Sequence, residues 1–462
     1  MIGHYPLEKI FRTVLRNGGS FADLYHESSR TNAIVCDDNK IENVISGTDA
    51  GVGVRAIADF KTSYAYGNSF SETDVLALAD DLANAVKSGS GGIIAQEYPL
   101  RPRVTLEVSL SPDIVETARK VAIVREANAA ARGVDSRVRQ VKVVYGDKHQ
   151  KIVMANSEGF LVEEDRTYTL LAVQVVAAED DLIQTGYEPV GGLIGFELFD
   201  EVDPAQVAKT AARRAVQAIE AREAPSGVMP VILSSEAGGT MIHEAVGHGL
   251  EADLALEGLS VYSDKIGEAV ASPLITVIDD ATLPQRRGSY GYDDEGVPAQ
   301  ETTLVAKGVL LRYLCDRLSA VRFNQESTGN GRRESYKHHP IVRMSNTFIA
   351  PGDDDPDAIL RSTPEGVFVK KMGGGQVNTV NGDFVFEVSE GYMIRNGQIG
   401  DPIRGATLTG SGPQVLQSID RVGNDLGFGI GTCGKDGQGM PVADAQPTLR
   451  IPEIVVGGTA RK

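Results

Sequence analysis

Tryptophan is absent and cysteine nearly so, for the 462-residue chain has three cysteines, Cys36, Cys315 and Cys433. An odd number of widely separated thiols excludes a disulfide framework and fits a reducing compartment, so each thiol needs its own explanation. Long apolar runs are missing too. No stretch of about 18 uncharged apolar residues occurs to make a spanning helix, so no membrane association is expected. The opening MIGHYPLEKIFRTVLRNGG reads as an amphipathic helix without the apolar block and cleavage site of a secretory signal. The expected compartment is the cytoplasm. Positive charge is scarce: 63 acidic against 45 basic residues give a formal charge of −18. Arg332-Arg333 and Lys370-Lys371 are only pairs, whereas phosphate binding needs a basic footprint, so direct nucleic-acid binding is not expected.

What remains is the composition of an ordinary globular protein, 42% hydrophobic and 23% charged. The chain is too long for one typical core and predicts two domains. Its first half alternates helical and strand patterns. A helix near 5–17 precedes strand-like FADLYHES, TNAIVCD, KIENVIS, GVGVRAIAD and KTSYAYGN. Helices at about 71–87 and 112–131 follow, then QVKVVYGD, QKIVMANS and the long TYTLLAVQVVAAEDD, and a closing helix DPAQVAKTAARRAVQAIEARE. Adjacent strands joined by short polar turns favour antiparallel pairing. The expected class is α+β: two domains with mainly antiparallel sheets flanked by helices. Turn formers in Ala224-Pro225-Ser226-Gly227 place the boundary between an N-terminal domain 1–223 and a C-terminal domain 224–462.

The second domain opens on GGTMIHEAVGHGLEAD, residues 238–253. The zinc-protease pattern H-E-x-x-H sets two histidines four apart on one helical face, with the glutamate beside them as general base. Here His243 and His248 are five apart, about 140° round a regular α-helix. A π-bulge restores an i, i+5 repeat, and Gly247 and Gly249 permit either such a bulge or unwinding at the helix end. The bland alternative is two ordinary polar positions on a short helix. A catalytic zinc needs three protein ligands and an open position. By residue type the third is sought among Glu251, Asp253, the pair His338-His339 and Cys433, the last in a glycine-rich stretch read as a tight, exposable turn. Cys36 and Cys315 lie in apolar periodic segments and read as buried structural thiols.

These residues, with GSYGYDDEGVPAQETTLVAKGVLLRYLCDR, RMSNTFIAPGD, GGGQVNTVNGDFVFEVSEGYMIRNGQIGDPIRGATLTG and GTCGKDGQGMPVADAQPTLRI, resemble the TldD/PmbA (TldE) peptidases, once described as modulators of DNA gyrase. The blocks run through nearly the whole second domain; the first resembles the family more loosely, through DAGVGVRA at 49–56. The resemblance implies metal ligands at His243, His248 and Cys433, with zinc as cofactor. It implies Glu244 as the group that activates water and later protonates the leaving amine. The histidine motif marks the metal-bearing type, since the family's partner subunit lacks it. It further implies peptide or unfolded-protein substrates and a heterodimer with a TldE/PmbA-type subunit, a homodimer being the other arrangement. The competing function class is a non-hydrolytic peptide-binding or regulatory protein with a structural zinc, for which Glu244 has no use.

Other features have bland readings that outweigh sharper ones. Asp293-Asp294-Glu295-Gly296 reads as an acidic turn before a second metal site. Lys371-Met372-Gly373-Gly374-Gly375-Gln376 lacks the phosphate-loop pattern. His338-His339 precedes Pro340, which disfavours a helical ligand pair. Tyr290 and Tyr292 are candidates to stabilise an oxyanion.

Overall fold

In the computed structural model, residues 5–86, 92–102, 104 and 106–459 are described. The first half is built on one six-stranded antiparallel sheet in the order β3-β2-β1-β4-β5-β6, where β1 is Phe21–Asp37, β2 Lys40–Ala58, β3 Lys61–Gly67, β4 Val138–Asn156, β5 Leu161–Glu179 and β6 Leu182–Gly192. Its hairpins are tight. Asp37 pairs with Lys40, leaving Asp38 and Asn39 at φ 47° and 70°, the left-handed pair that a two-residue hairpin needs and that Asp and Asn tolerate.

Several strands expected as separate are continuous. FADLYHES and TNAIVCD are both β1, KIENVIS and GVGVRAIAD both β2, QVKVVYGD and QKIVMANS both β4. The reason is that each strand serves two cores. Ala22 and Leu24 of β1 pack under helices α1 (Leu7–Val14) and α2 (Glu72–Ala85). Ile34 and Cys36 pack under α3 (Thr117–Arg132) and helix Pro204–Glu220. The polar middle crosses between the two pairs of helices without leaving the sheet. The helix expected over 71–87 begins behind Ser71, whose side chain caps it by accepting the N–H of Asp74; position 87 lies outside the described residues. The opposite sheet face turns to the second half: Tyr25, Ile152, Met154 and Val162 pack with Tyr292 and Tyr336. Successive side chains of a strand alternate faces, which is why Leu24 and Tyr25 enter different cores.

The second half has shorter strands, most of them in an eight-stranded and a six-stranded sheet. One runs Glu365–Val377, Gly227–Leu233, Leu449–Gly457, Thr407–Ser411, Asp383–Arg395, Gln398–Arg404, Arg222–Glu223, and an extra pairing of Glu365–Val377 with Asp383–Arg395 closes its first five strands on themselves. The other runs Val309–Leu310, Glu301–Ala306, Val277–Asp280, Asn346–Ile349, Gln438–Gln446, Gly427–Lys435. Pairing is mainly antiparallel; Glu365–Val377 with Gly227–Leu233 and Asn346–Ile349 with Gln438–Gln446 are parallel exceptions. The architecture is α+β, as the sequence pattern implies. Met241, Ile242, Ala245, Val246 and Leu250 fix the histidine segment in the core between these sheets.

No helix among the described residues is long and apolar enough to cross a membrane. The acidic turn joins the halves. Asp294 takes Arg166 of β5 at 2.9 Å, and Glu295 takes Arg55 of β2 at 2.7 Å. Arg55 Nε also donates to Asp23 of β1 at 2.7 Å. All are buried, so each charge is compensated across the seam.

Candidate metal centre

The segment after Gly239 begins as a regular α-helix, with the His243 N–H on the Gly239 carbonyl at 2.9 Å. It then widens into a π-helical turn over His243–Gly247, in which the His248 N–H bonds the carbonyl of His243 itself. That i→i+5 bond carries the extra residue of the motif and turns both imidazoles to one side, their ring centres 5.0 Å apart and their planes at 88°. Gly247 packs closely here: a Cβ on it would lie 2.1 Å from Met344 Sδ, so the methionine side chain would have to shift.

Cys433 comes from strand Gly427–Lys435, far away in sequence. Its Sγ lies 3.4 Å from His248 Nε2, and the three donor atoms of His243, His248 and Cys433 all lie within 4.8 Å of one another. The glycine-rich context was expected to make an exposable turn; instead Cys433 is a strand residue, buried to 5% exposure, because its side chain points inward at the histidines. Glu251 and Asp253, weighed by type as third donors, have other work. His248 Nδ1 bonds Glu251 at 2.9 Å, and Lys435 holds both Glu251, at 3.1 Å, and Asp253, at 2.7 Å. His338 bonds Ser335 and His339 lies beside Tyr64, away from the cluster.

Asp444 escaped the sequence reading. It bonds His243 Nδ1 at 2.7 Å, doing for His243 what Glu251 does for His248. Nothing in GMPVADAQP marks it, because its role depends on strand Gln438–Gln446 pairing with the Cys433 strand, Gly429 opposite Asp444. With both Nδ1 atoms occupied by carboxylates, both Nε2 atoms are free to face the thiol, the orientation seen for histidines that ligate metals.

The charges fit this arrangement. Burial lowers the His243 and His248 pKa values, but Asp444 and Glu251 outweigh it; His243 is raised well above the ordinary value and His248 to about 9. Burial raises the Cys433 thiol, yet hydrogen bonds with His243 and His248 bring it down to about 5, in the direction of the thiolate that metal ligation needs. Cys315, by contrast, is raised by burial to about 11, and Cys36 is raised by burial as well. Glu244 is half-buried on the same turn. Burial, reinforced by Cys433 and Asp444, raises its carboxyl above the usual range against the pull of the two histidines.

Two imidazoles and a thiolate match the donor set of a zinc site that keeps an open position. Zn–N of about 2.0–2.1 Å and Zn–S of about 2.3 Å at a tetrahedral angle put N and S roughly 3.6 Å apart. The 3.4 Å between His248 and Cys433 fits that edge.

The remaining candidates lie elsewhere. Asp293 is saturated by the N–H groups of Glu295, Val297 and Gly331. Tyr290 and Tyr292 donate to the carbonyls of Gly329 and Pro102. Residues 371–375 lie within a bulged strand.

Residues 22–90, 110–219 and 226–458 match models of PmbA/TldA metallopeptidase domain 1, central domain and C-terminal domain. The chain belongs to the PmbA/TldD metallopeptidase family. A TldD metalloprotease homologue of Haemophilus influenzae is 36% identical over 98% of this chain and 96% of its own length. Two solved structures share the fold. A Thermotoga maritima protein, a proposed modulator of a DNA gyrase, superposes with TM-score 0.80 at 22% identity over 97% of this chain and 99% of its own. TldE of Thermococcus kodakarensis superposes with TM-score 0.78 at 18% identity, over 98% and 99%.

Proposed function

We propose that this family member is a zinc peptidase of the TldD type, hydrolysing peptide bonds in peptides or unfolded segments. The peptidase unit in this reading is the C-terminal domain, 224–462. The observation that carries it is the π-helical turn, which presents His243 and His248 to Cys433 and carries Glu244 on the same turn. His243, His248 and Cys433 would hold the ion. Zinc in such a site supplies Lewis acidity and lowers the pKa of water.

The chain's own groups do the rest. Asp444 and Glu251 fix the imidazole orientations, and Lys435 fixes Glu251. The raised pKa of Glu244 suits a carboxylate that takes a proton from water and returns it to the leaving amine. Extended backbone is the substrate form that strand-rich surroundings bind with little side-chain preference. A TldE-type subunit is the proposed partner, with a homodimer as the other arrangement, and the unpaired thiols fit a cytoplasmic setting.

The test is Glu244→Gln in the zinc-loaded chain, with and without a TldE-type subunit. Cleavage of an extended peptide should fall by at least about a hundredfold while zinc and peptide binding persist. Undiminished cleavage contradicts the role of Glu244. Zinc-dependent peptide binding with no cleavage by the unsubstituted protein would replace a peptidase with a binding protein.

A further inference from the structure

Charge around the Cys433 hairpin runs against the acidic composition of the chain. A cavity of about 340 Å³ opens between the polar middle of the N-terminal sheet and this hairpin. Thr432 and Pro441, a cross-strand pair, form part of its wall. Side chains alternate along a strand, so Cys433, next after Thr432, faces the other way, toward the metal donors. The cavity and the metal centre are thus two faces of one outermost strand.

Most charged groups in the wall are matched. Arg166 pairs with Asp294 and Glu164, Arg333 with Asp23, Asp147 with Lys120, and Lys148 stands 3.6 Å from Glu27. Glu334 is exposed at the rim and accepts the Gly439 N–H. Arg287 differs. Its Nε donates to the Gly431 carbonyl at 3.2 Å and its terminal nitrogen to Thr432 Oγ1 at 3.4 Å. These are neutral acceptors at long range, and among the described residues no carboxylate is paired with it. Burial lowers its pKa from the ordinary arginine value, as befits a half-buried cation without a counter-charge. Tyr168, Leu170 and Pro441 give the same cavity apolar walls.

We propose that this cavity is a substrate subsite in which Arg287 receives a carboxylate of the peptide while an apolar side chain lies on Tyr168, Leu170 and Pro441. Guanidinium matches carboxylate in planar, two-pronged fashion, and apolar cavities with few directed polar groups are what bind small ligands. The carboxylate is the free C terminus or an acidic side chain. The inference rests on the peptidase reading for its choice of ligand, but its test reads binding.

A labelled hexapeptide is titrated against the zinc-loaded full-length Glu244→Gln chain, alone and with a TldE-type subunit. It is used as the free acid, as the C-terminal amide, and as the amide with one aspartate. The free acid or the aspartyl amide should bind at least about tenfold more tightly than the plain amide, the worth of a charge-assisted hydrogen bond, and the stronger of the two names the source. Arg287→Gln should erase that preference, and Arg287→Lys should restore part of it. Equal binding of all three peptides, binding of none, or a preference that survives Arg287→Gln overturns the proposal. A preference in binding with no cleavage by the unsubstituted protein leaves the subsite standing and removes the peptidase reading; cleavage without a preference does the reverse.

Discussion

The two halves of the molecule solve the strand-pairing problem differently. In the N-terminal sheet, four of the five neighbouring pairs are formed by strands consecutive in sequence, joined by short turns. In the C-terminal half strands adjoin partners from far along the chain: Leu449–Gly457 lies against Gly227–Leu233, and Cys433 meets His248 across 185 positions. Local pairing makes a scaffold cheaply in loop-closure entropy. Distant pairing converges side chains that no short segment could assemble. The candidate metal donors sit in the half that takes the entropic cost, and the local half contributes a face to lean on.

That contrast can be broken at the seam first. Arg55→Ala leaves Glu295 buried without its cation and Asp23 with Arg333 alone, at 3.5 Å, and loss of one member of a buried pair costs about 3–5 kcal/mol. Chemical denaturation should show the loss. If stability falls by less than about 1 kcal/mol, the halves are not held by this network.

The same seam has a pH signature. Burial, reinforced by Glu295, raises the Asp316 carboxyl from 3.8 to about 6. A carboxyl raised on folding favours the folded state at low pH, and that contribution is lost as pH rises from about 4 through 6. The shift corresponds to about 3 kcal/mol as an upper scale. Asparagine can keep the helix cap that Asp316 provides to Ser319. Asp316→Asn should therefore stabilise the protein by about 1–3 kcal/mol at pH 8 and by nothing at pH 4. A gain independent of pH would point to another cause.

A smaller effect sharpens the role of distant pairing. Asp444→Asn keeps the fold and a hydrogen-bond acceptor for His243 but removes the charge. Zinc affinity, measured by competition with a chelator, should fall about 10–100-fold. No change would mean that the orientation of His243 comes from packing alone.

What the sequence made legible follows the same divide. Alternating apolar residues and short polar turns disclose the hairpins of the first half, since both signals are local. The i, i+5 spacing of His243 and His248, with Gly247 beside them, allows a bulged turn if both imidazoles face one point, and the structure has that turn. Cys433 entered through family resemblance, and its expected exposed turn proved to be a buried strand. Asp444, Lys435 and Arg287 stayed hidden, for their roles exist only once strands about 150 to 200 residues apart are side by side.

The central claim is that two histidines on a π-helical turn and one distant cysteine share a zinc ion. X-ray absorption at the zinc edge of the stoichiometrically loaded protein tests it most directly. The account predicts one sulfur neighbour at about 2.3 Å and nitrogen or oxygen neighbours at about 2.0–2.1 Å, two of them with imidazole scattering. The sulfur should vanish in Cys433→Ser and persist in Cys36→Ser and Cys315→Ser. A zinc shell with no sulfur, or sulfur that survives Cys433→Ser, would contradict the account.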